Sequence, residues 1–208
     1  MKIPEELKET ISNLPSKEKD KLIFRLLKKD LLLANKLLFE LVSNTSVEEQ
    51  REKIKEHLTY SIKQSSDNFY SPGYLNWDVR DMSGMITEHV KITKDKYGEI
   101  SLNLYMINEV LEQNNKKILS AKHHQVDKFC TAVIARAFKI MLLIKKMHED
   151  YLIEFKDELE KLANLIGDNP YLMNCAIHNG LDVNWLFFGN IPNDIEQTYK
   201  ELRQHGYL

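Results

Sequence analysis

The sequence has 208 residues, of which 29 are Lys or Arg and 31 are Asp or Glu, so its formal net charge is −2. This balance does not favour nucleic acid as a partner, because a nucleic-acid-binding domain is usually basic. Hydrophobic residues make up 43% of the chain and charged residues 29%, which predicts a sizeable core and a soluble protein. The N-terminal stretch MKIPEELKET is charged and lacks the apolar region of a signal peptide. We therefore expect a cytoplasmic protein with no membrane segment.

The positions of Gly and Pro predict long helical runs. Neither residue occurs between Ser16 and Ser71, nor between Glu99 and Ile166. Strands and hairpins depend on these residues for their turns, so the two runs favour helices joined by short polar turns. In the N-terminal half, Ser46 and Glu49 have capping-box spacing. Predicted helices in this half cover residues 4–14, 17–29, 31–42, 46–64 and 77–94, with a loop at 65–76 and a turn at 95–98 in which Gly98 suits a left-handed position. The alternative near this turn is a short strand at residues 90–93.

The most apolar stretch, residues 129–144, predicts a helix in the core. Thirteen of its sixteen residues are apolar, and the stretch is shorter than the roughly 20 apolar residues that cross a bilayer. A helix that is apolar on nearly every side lies among other helices. The remaining predicted helices cover residues 100–119, 123–147, 151–166, 170–179 and 194–206, and residues 183–188 form a short apolar element. Asn169-Pro170 has the composition of a helix start. Residues 148–150 are expected to end or kink the core helix. The predicted fold class is all-α, an irregular array of about eight to ten helices around a central apolar helix at about 123–147. Residues 1–66 would form an N-terminal helical layer and residues 67–208 the main body, or the two would form one domain.

Two segments rich in aromatic and amide side chains are candidate interaction surfaces. Trp and Tyr are the residues that most often anchor protein interfaces. The first segment is the predicted loop, and the second follows the Asn179-Gly180 turn, where the anchors would be Trp185, Phe187 and Phe188. The candidate interaction residues are Tyr70, Tyr74, Trp77, Asn174, His178, Asp182, Asn184 and Trp185.

Two arginines also carry a prediction, since the chain has few arginines. Arg136 lies within the core helix, and Arg80 lies between Asp78 and Asp81. A buried charge needs a partner, so we predict an ion-pair network that joins helix 77–94 to the core helix. The alternative is an anion pocket, because the planar guanidinium suits a carboxylate or a phosphate.

Two acidic pairs provide an enzymatic alternative. Glu49 with Glu52, and Glu154 with Asp157, each share one side of a predicted helix. Four such carboxylates on facing helices would hold Mg²⁺ or Mn²⁺ against substrate phosphates. The two tetrapeptides resemble those of the all-helical nucleotide pyrophosphatases, although they are separated by about 100 residues, which is longer than that family's pattern. The resemblance implies a metal-dependent hydrolase that acts on a nucleotide or another phosphorylated ligand.

The sequence favours a non-enzymatic function. None of the GxGxxG, GxxxxGK[ST], GxSxG and HExxH fingerprints occurs, and Cys130 and Cys175 form no metal-binding or disulfide pattern. We therefore predict a helical protein–protein interaction module with no cofactor and an unidentified protein partner. A homo-oligomer is compatible with the sequence.

Overall fold

The computed structural model describes residues 3–147 and 150–206. These residues form twelve helices and no strand, which confirms the predicted all-α fold. No helix in this part of the chain is long and apolar enough to cross a membrane. The helices are α1 (Glu5–Asn13), α2 (Ser16–Leu27), α3 (Leu31–Leu41), α4 (Val47–Asp67), α5 (Pro72–Thr93), α6 (Lys96–Leu119), α7 (His123–Lys145), α8 (Asp150–Glu154), α9 (Lys156–Gly167), α10 (Pro170–His178), α11 (Asn184–Phe188) and α12 (Ile195–Gln204).

The chain divides into two compact units. The first contains residues 3–45 and Lys91–Thr93, and the second contains Ser46–Val90 and the described residues from Lys94 onward. Helices α1, α2 and α3 belong to the first unit, and none of them contains a buried residue. The hydrophobic core therefore lies in the second unit.

Two helices share the centre of the second unit. In α7, ten residues are buried, including Phe129, Ile134 and Phe138. In α6, twelve residues are buried, and this helix packs against α4, α7 and α9. The core is thus built on α6 as well as on the apolar helix that the sequence indicates. The prediction that α7 ends or kinks at His148 falls outside the described residues.

Buried asparagines connect α6 to its neighbours. Asn108 Nδ2 donates to the Glu158 backbone carbonyl of α9 at 2.9 Å, and Asn114 Nδ2 donates to Ser66 Oγ of α4 at 2.8 Å. A buried amide is stable only when it is hydrogen-bonded, so these side chains restrict how the helices can slide past one another. The buried asparagines also explain why the sequence of α6 is less typical of a core helix than the sequence of α7.

Helix α5 begins earlier than the sequence predicts. Its first residue is Pro72, and Ser71 Oγ accepts a hydrogen bond from Tyr74 N at 3.4 Å. Proline suits the first helical turn because its missing N–H would have no partner there. Most of the predicted loop at 65–76 is therefore helical, since α4 also extends to Asp67. The short strand considered at residues 90–93 is absent, because these residues continue α5.

The turn between α5 and α6 also differs from the prediction. Lys94, rather than Gly98, adopts the left-handed conformation, with φ of 60°. Gly98 lies in the first turn of α6, where Asp95 caps the helix by accepting from Gly98 N at 2.8 Å. A glycine is needed there for space rather than for its backbone angles.

Asp95 is the centre of a buried junction between three helices. Its carboxylate accepts two hydrogen bonds from Arg51 of α4, Nε to Oδ2 at 2.7 Å and Nη2 to Oδ1 at 2.9 Å. His89 Nε2 of α5 lies 3.2 Å from Oδ2. Both His89 and Asp95 are buried, so this charge is stable only because hydrogen bonds surround it. We call Arg51, His89, Asp95 and Gly98 the Asp95 junction.

The junction predicts acid sensitivity. Burial opposes ionisation of Asp95, but hydrogen bonds from His89, Arg51 and the Gly98 N–H outweigh it and hold the pKa of the carboxyl well below its ordinary 3.8. As the pH falls below about 4, the unfolded chain takes up this proton first. The contribution of Asp95 to stability is therefore lost progressively from about pH 4 downward, toward the lower pKa of the carboxyl in the folded protein. Asp95→Asn should cost on the order of 3 kcal/mol at pH 7. In urea unfolding, the difference in unfolding free energy between the wild type and the variant should become smaller below pH 4. A difference that does not change with pH would contradict this role.

The space around Gly98 gives a second prediction. A Cβ at this position would lie 2.0 Å from Asp95 Oδ2 and 2.9 Å from Arg51 Nε. Gly98→Ala should therefore destabilise the protein by about 1–3 kcal/mol, although alanine is the better helix former. Gly84→Ala is the matched control, because nothing lies within 4 Å of a Cβ in the middle of α5. Thermal unfolding should show the control at or above the wild-type midpoint. Equal effects of the two substitutions would contradict the packing described.

Candidate functional site

Three aromatic side chains form an exposed row at the start of α5. Tyr70, Tyr74 and Trp77 are 80%, 52% and 62% exposed. The ring centroids of Tyr70 and Tyr74 are 5.1 Å apart, and those of Tyr74 and Trp77 are 5.0 Å apart. These separations are in the range of favourable aromatic contacts. The structure thus brings together three of the residues that the sequence suggests for an interaction surface, and we call them the aromatic row.

The backbone beneath the aromatic row is held by buried residues. Pro72, Leu75 and Val79 of α5 are all buried, while Tyr74 and Trp77 are three residues apart and point outward. Residues three apart are neighbours on a helix surface, which keeps the two rings in contact. Tyr74 and Trp77 therefore project from an ordered helix and Tyr70 lies just before its start, so little conformational entropy would be lost when a partner bound the rings.

Charged side chains of both signs lie close to the aromatic row in the sequence. Arg80 and Asp81 are exposed and Asp78 is partly exposed, and all three follow Trp77 within about one turn of α5. A polar rim next to aromatic anchors is the usual layout of a protein interface. The mixed signs do not resemble the uniformly basic surface that nucleic acid requires.

The C-terminal candidates have different local environments. Asn174 and His178 of α10 are exposed and line a pocket of about 520 Å³ between α7 and α10. Asp182 and Asn184 are exposed in the following turn, where Asp182 Oδ1 accepts from Asn184 N at 2.9 Å. Trp185 is partly buried and packs against the core. Its position gives it a packing role, and the exposed aromatic residue of α11 is Phe188.

Both cysteines line the pocket between α7 and α10. Cys130 is buried, and burial raises the pKa of its thiol to about 12. Burial also raises the pKa of the Cys175 thiol, although hydrogen bonds with Thr131 and Asn179 act in the opposite direction. Only the thiolate is a strong nucleophile, so neither cysteine is activated at neutral pH. These two thiols therefore do not supply the pocket with an activated nucleophile.

The two arginines have different environments. Arg136 reaches from α7 to α5, where Nε donates to Ser83 Oγ at 3.2 Å and Nη2 to the Val79 carbonyl at 3.5 Å. Among the described residues no carboxylate pairs with it, so the predicted ion pair is wrong, although the predicted link between these helices is present. Burial lowers the pKa of the Arg136 guanidinium. Arg80 is exposed on α5, whereas Arg136 is partly buried.

The four carboxylates of the hydrolase alternative have three different environments. Glu49 completes the predicted capping box by accepting from Ser46 N at 2.8 Å. Glu52 and Glu154 line one pocket of about 320 Å³ together with Arg51 and Lys55, whereas Asp157 lines a different groove. Among residues 3–147 and 150–206, no group of three or more His, Cys, Asp or Glu side chains is placed to hold a metal ion.

The chain has no recognisable relatives in three comparisons. No protein-family model, no curated protein and no solved structure matched it. The function must therefore be inferred from the chain's own geometry. The residues that sequence reasoning missed are those of the Asp95 junction, whose members lie up to 47 positions apart, from Arg51 to Gly98. The only local signal was that Asp95 stands three residues before Gly98 at the start of a helix.

The different environments of Arg136 and Arg80 allow a structural role to be distinguished from a ligand-binding role. Arg136→Ala would remove the hydrogen bonds to Ser83 and Val79 and leave a cavity, so it should lower the unfolding free energy by about 1–3 kcal/mol. Arg80→Ala should change it by less than about 0.5 kcal/mol, because the side chain is exposed. Urea unfolding of both variants provides the comparison. A fully stable Arg136→Ala protein would instead favour the anion-pocket hypothesis.

Proposed function

We propose that this chain is a non-catalytic binding protein that docks a protein partner through the aromatic row of Tyr70, Tyr74 and Trp77. The observation that carries the proposal is the joint exposure of three touching aromatic rings, two on helix α5 and one just before its start. Aromatic side chains gain most by losing contact with water, and Trp and Tyr are enriched among the residues that dominate binding energy. A contiguous aromatic surface of this kind therefore supports a docking role.

The partner that fits this surface is a folded protein or a peptide with an apolar segment. The rings supply the apolar contact, and Arg80 and Asp81 supply polar groups of both signs close by. Because the buried residues beneath the rings keep them in place, docking needs little rearrangement of this chain. Affinity would depend mainly on how well the partner covers the rings.

The metal-dependent hydrolase remains the alternative, and the geometry supports it less. That mechanism requires Glu49, Glu52, Glu154 and Asp157 to act together on one metal site. Glu49 is occupied as a helix cap, and Asp157 lines a different groove from Glu52 and Glu154. The two glutamates that do share a pocket also share it with Arg51 and Lys55, which compete with a cation for their oxygens.

The aromatic row can be tested by substitution. Partners would be captured on the immobilised full chain from a lysate of the encoding organism, with Tyr70→Ser/Tyr74→Ser/Trp77→Ser as the test variant. The triple variant should lose specific capture, and Trp77→Ala alone should weaken it by about 10- to 100-fold, as expected for a central aromatic anchor. Tyr60→Ser is the matched control, because Tyr60 is an isolated ring on α4 that is similarly exposed.

Thermal unfolding decides whether a loss of capture is specific. All three rings are exposed, so each variant should keep the wild-type stability to within about 0.5 kcal/mol per substitution. The chain has only two tryptophans, so in a Trp185→Phe background the fluorescence reports on Trp77 alone. A captured partner should shift that emission to shorter wavelength. Undiminished capture by the stable triple variant would overturn the proposal.

A further inference from the structure

Helix α3 is the most apolar surface helix of the chain. Eight of its eleven residues are Leu, Ala or Phe, and none of the eleven is buried. Leu31 is 73% exposed and Leu41 is 77% exposed. A helix that is apolar on most sides normally lies among other helices. Its exposure therefore indicates that another surface covers it.

Three exposed leucines of α3 form a stripe with Val42, the residue that follows the helix. Leu31 and Leu38 are seven residues apart, and Leu41 and Val42 follow Leu38 by three and four residues. This is the spacing with which one helix packs along another. Helices α1 and α2 add further exposed apolar residues, including Leu7, Ile23, Phe24 and Leu26.

The exposed apolar side chains of the chain are concentrated in this unit. Residues 3–45 contain eleven exposed large apolar side chains, against nine in the rest of the described chain, and the stripe supplies four of the eleven. Contiguous apolar side chains on a protein surface mark an interaction site. Folding of this unit, which has no core of its own, would gain stability from covering them.

The charges of the unit are compatible with a second copy of the same chain. Residues 3–45 contain eight basic and seven acidic side chains, so two copies would not repel one another strongly. The charges are also segregated, because α1 carries three glutamates and one lysine, while α2 carries four basic and two acidic residues. A two-fold axis would allow the acidic α1 of each chain to face the basic α2 of the other.

The composition of the stripe also favours self-association. It consists of aliphatic residues, whereas interfaces between different proteins tend to rely on Tyr, Trp and Arg anchors such as those of the aromatic row. Homodimer interfaces are more apolar than interfaces between transient partners. We propose that the chain is a homodimer in which the α3 stripe of Leu31, Leu38, Leu41 and Val42 packs against the same stripe of a second copy. This interface is separate from the aromatic row, and either proposal can fail without the other.

Sedimentation equilibrium of the full chain tests the proposal. The wild-type protein should have twice the chain mass of 24.5 kDa at micromolar concentration. The double variant Leu38→Asp/Leu41→Asp should sediment as a monomer, because it places four carboxylates in the two-fold interface. Ile177→Asp is the matched control, since Ile177 is an exposed aliphatic residue on α10 and its substitution should leave the dimer intact.

A second measurement excludes loss of folding as the explanation. Amide hydrogen exchange of the wild-type protein should show that protection of α3 decreases on dilution, while protection of α6 does not change. A wild-type chain that is monomeric at every soluble concentration would overturn the proposal, and so would a double variant that remains dimeric. Protection of α3 that does not depend on concentration would also overturn it, because it would indicate that the chain covers the stripe itself.

Discussion

The second unit depends on a buried carboxylate that three helices satisfy together. Arg51 of α4 and His89 of α5 surround Asp95, and Asp95 in turn caps α6 through Gly98 N. An isolated charge in this position would be strongly destabilising, so each helix needs the other two in place. The absence of a side chain at Gly98 is part of the same arrangement, because a Cβ would overlap the carboxylate.

The Asp95 junction is relevant to the proposed function because it helps to fix α5, the helix that carries Tyr74 and Trp77. This helix is held at its start by the buried Pro72 and Leu75, in its middle by Arg136 bound to Ser83, and further along by His89 against Asp95. An element fixed at three places has little freedom to tilt. The aromatic row at its beginning is therefore presented in one orientation, which lowers the entropic cost of docking a partner. Structural and functional residues lie on the same helix but on opposite sides of it.

The sequence was informative wherever a local signal decided the structure. The apolar run of α7, the Ser46–Glu49 capping box and the Asn169-Pro170 helix start were all predicted and confirmed.

The start of α5 was predicted too late, because Pro-Gly beside tyrosines is also typical of a loop. The centrality of α6 was missed because buried asparagines on it, such as Asn108 and Asn114, make it look polar, although α4 and α9 satisfy them. The residues that satisfy these asparagines are distant from them in the sequence. The expected ion pair of Arg136 was wrong for a related reason, since neutral acceptors on α5 replaced the carboxylate.

The central claim is that Tyr74 and Trp77 of the aromatic row project from a rigid helix rather than from a loop. Amide hydrogen exchange resolved to single residues at the start of α5 tests it most directly. Leu75 N donates to the Ser71 carbonyl at 3.0 Å, so amides from Leu75 onward should be protected in the free protein. Exchange of Leu75 to Val79 at the rate of an unstructured peptide would contradict the account, because the rings would then belong to a mobile segment that has to be ordered on binding.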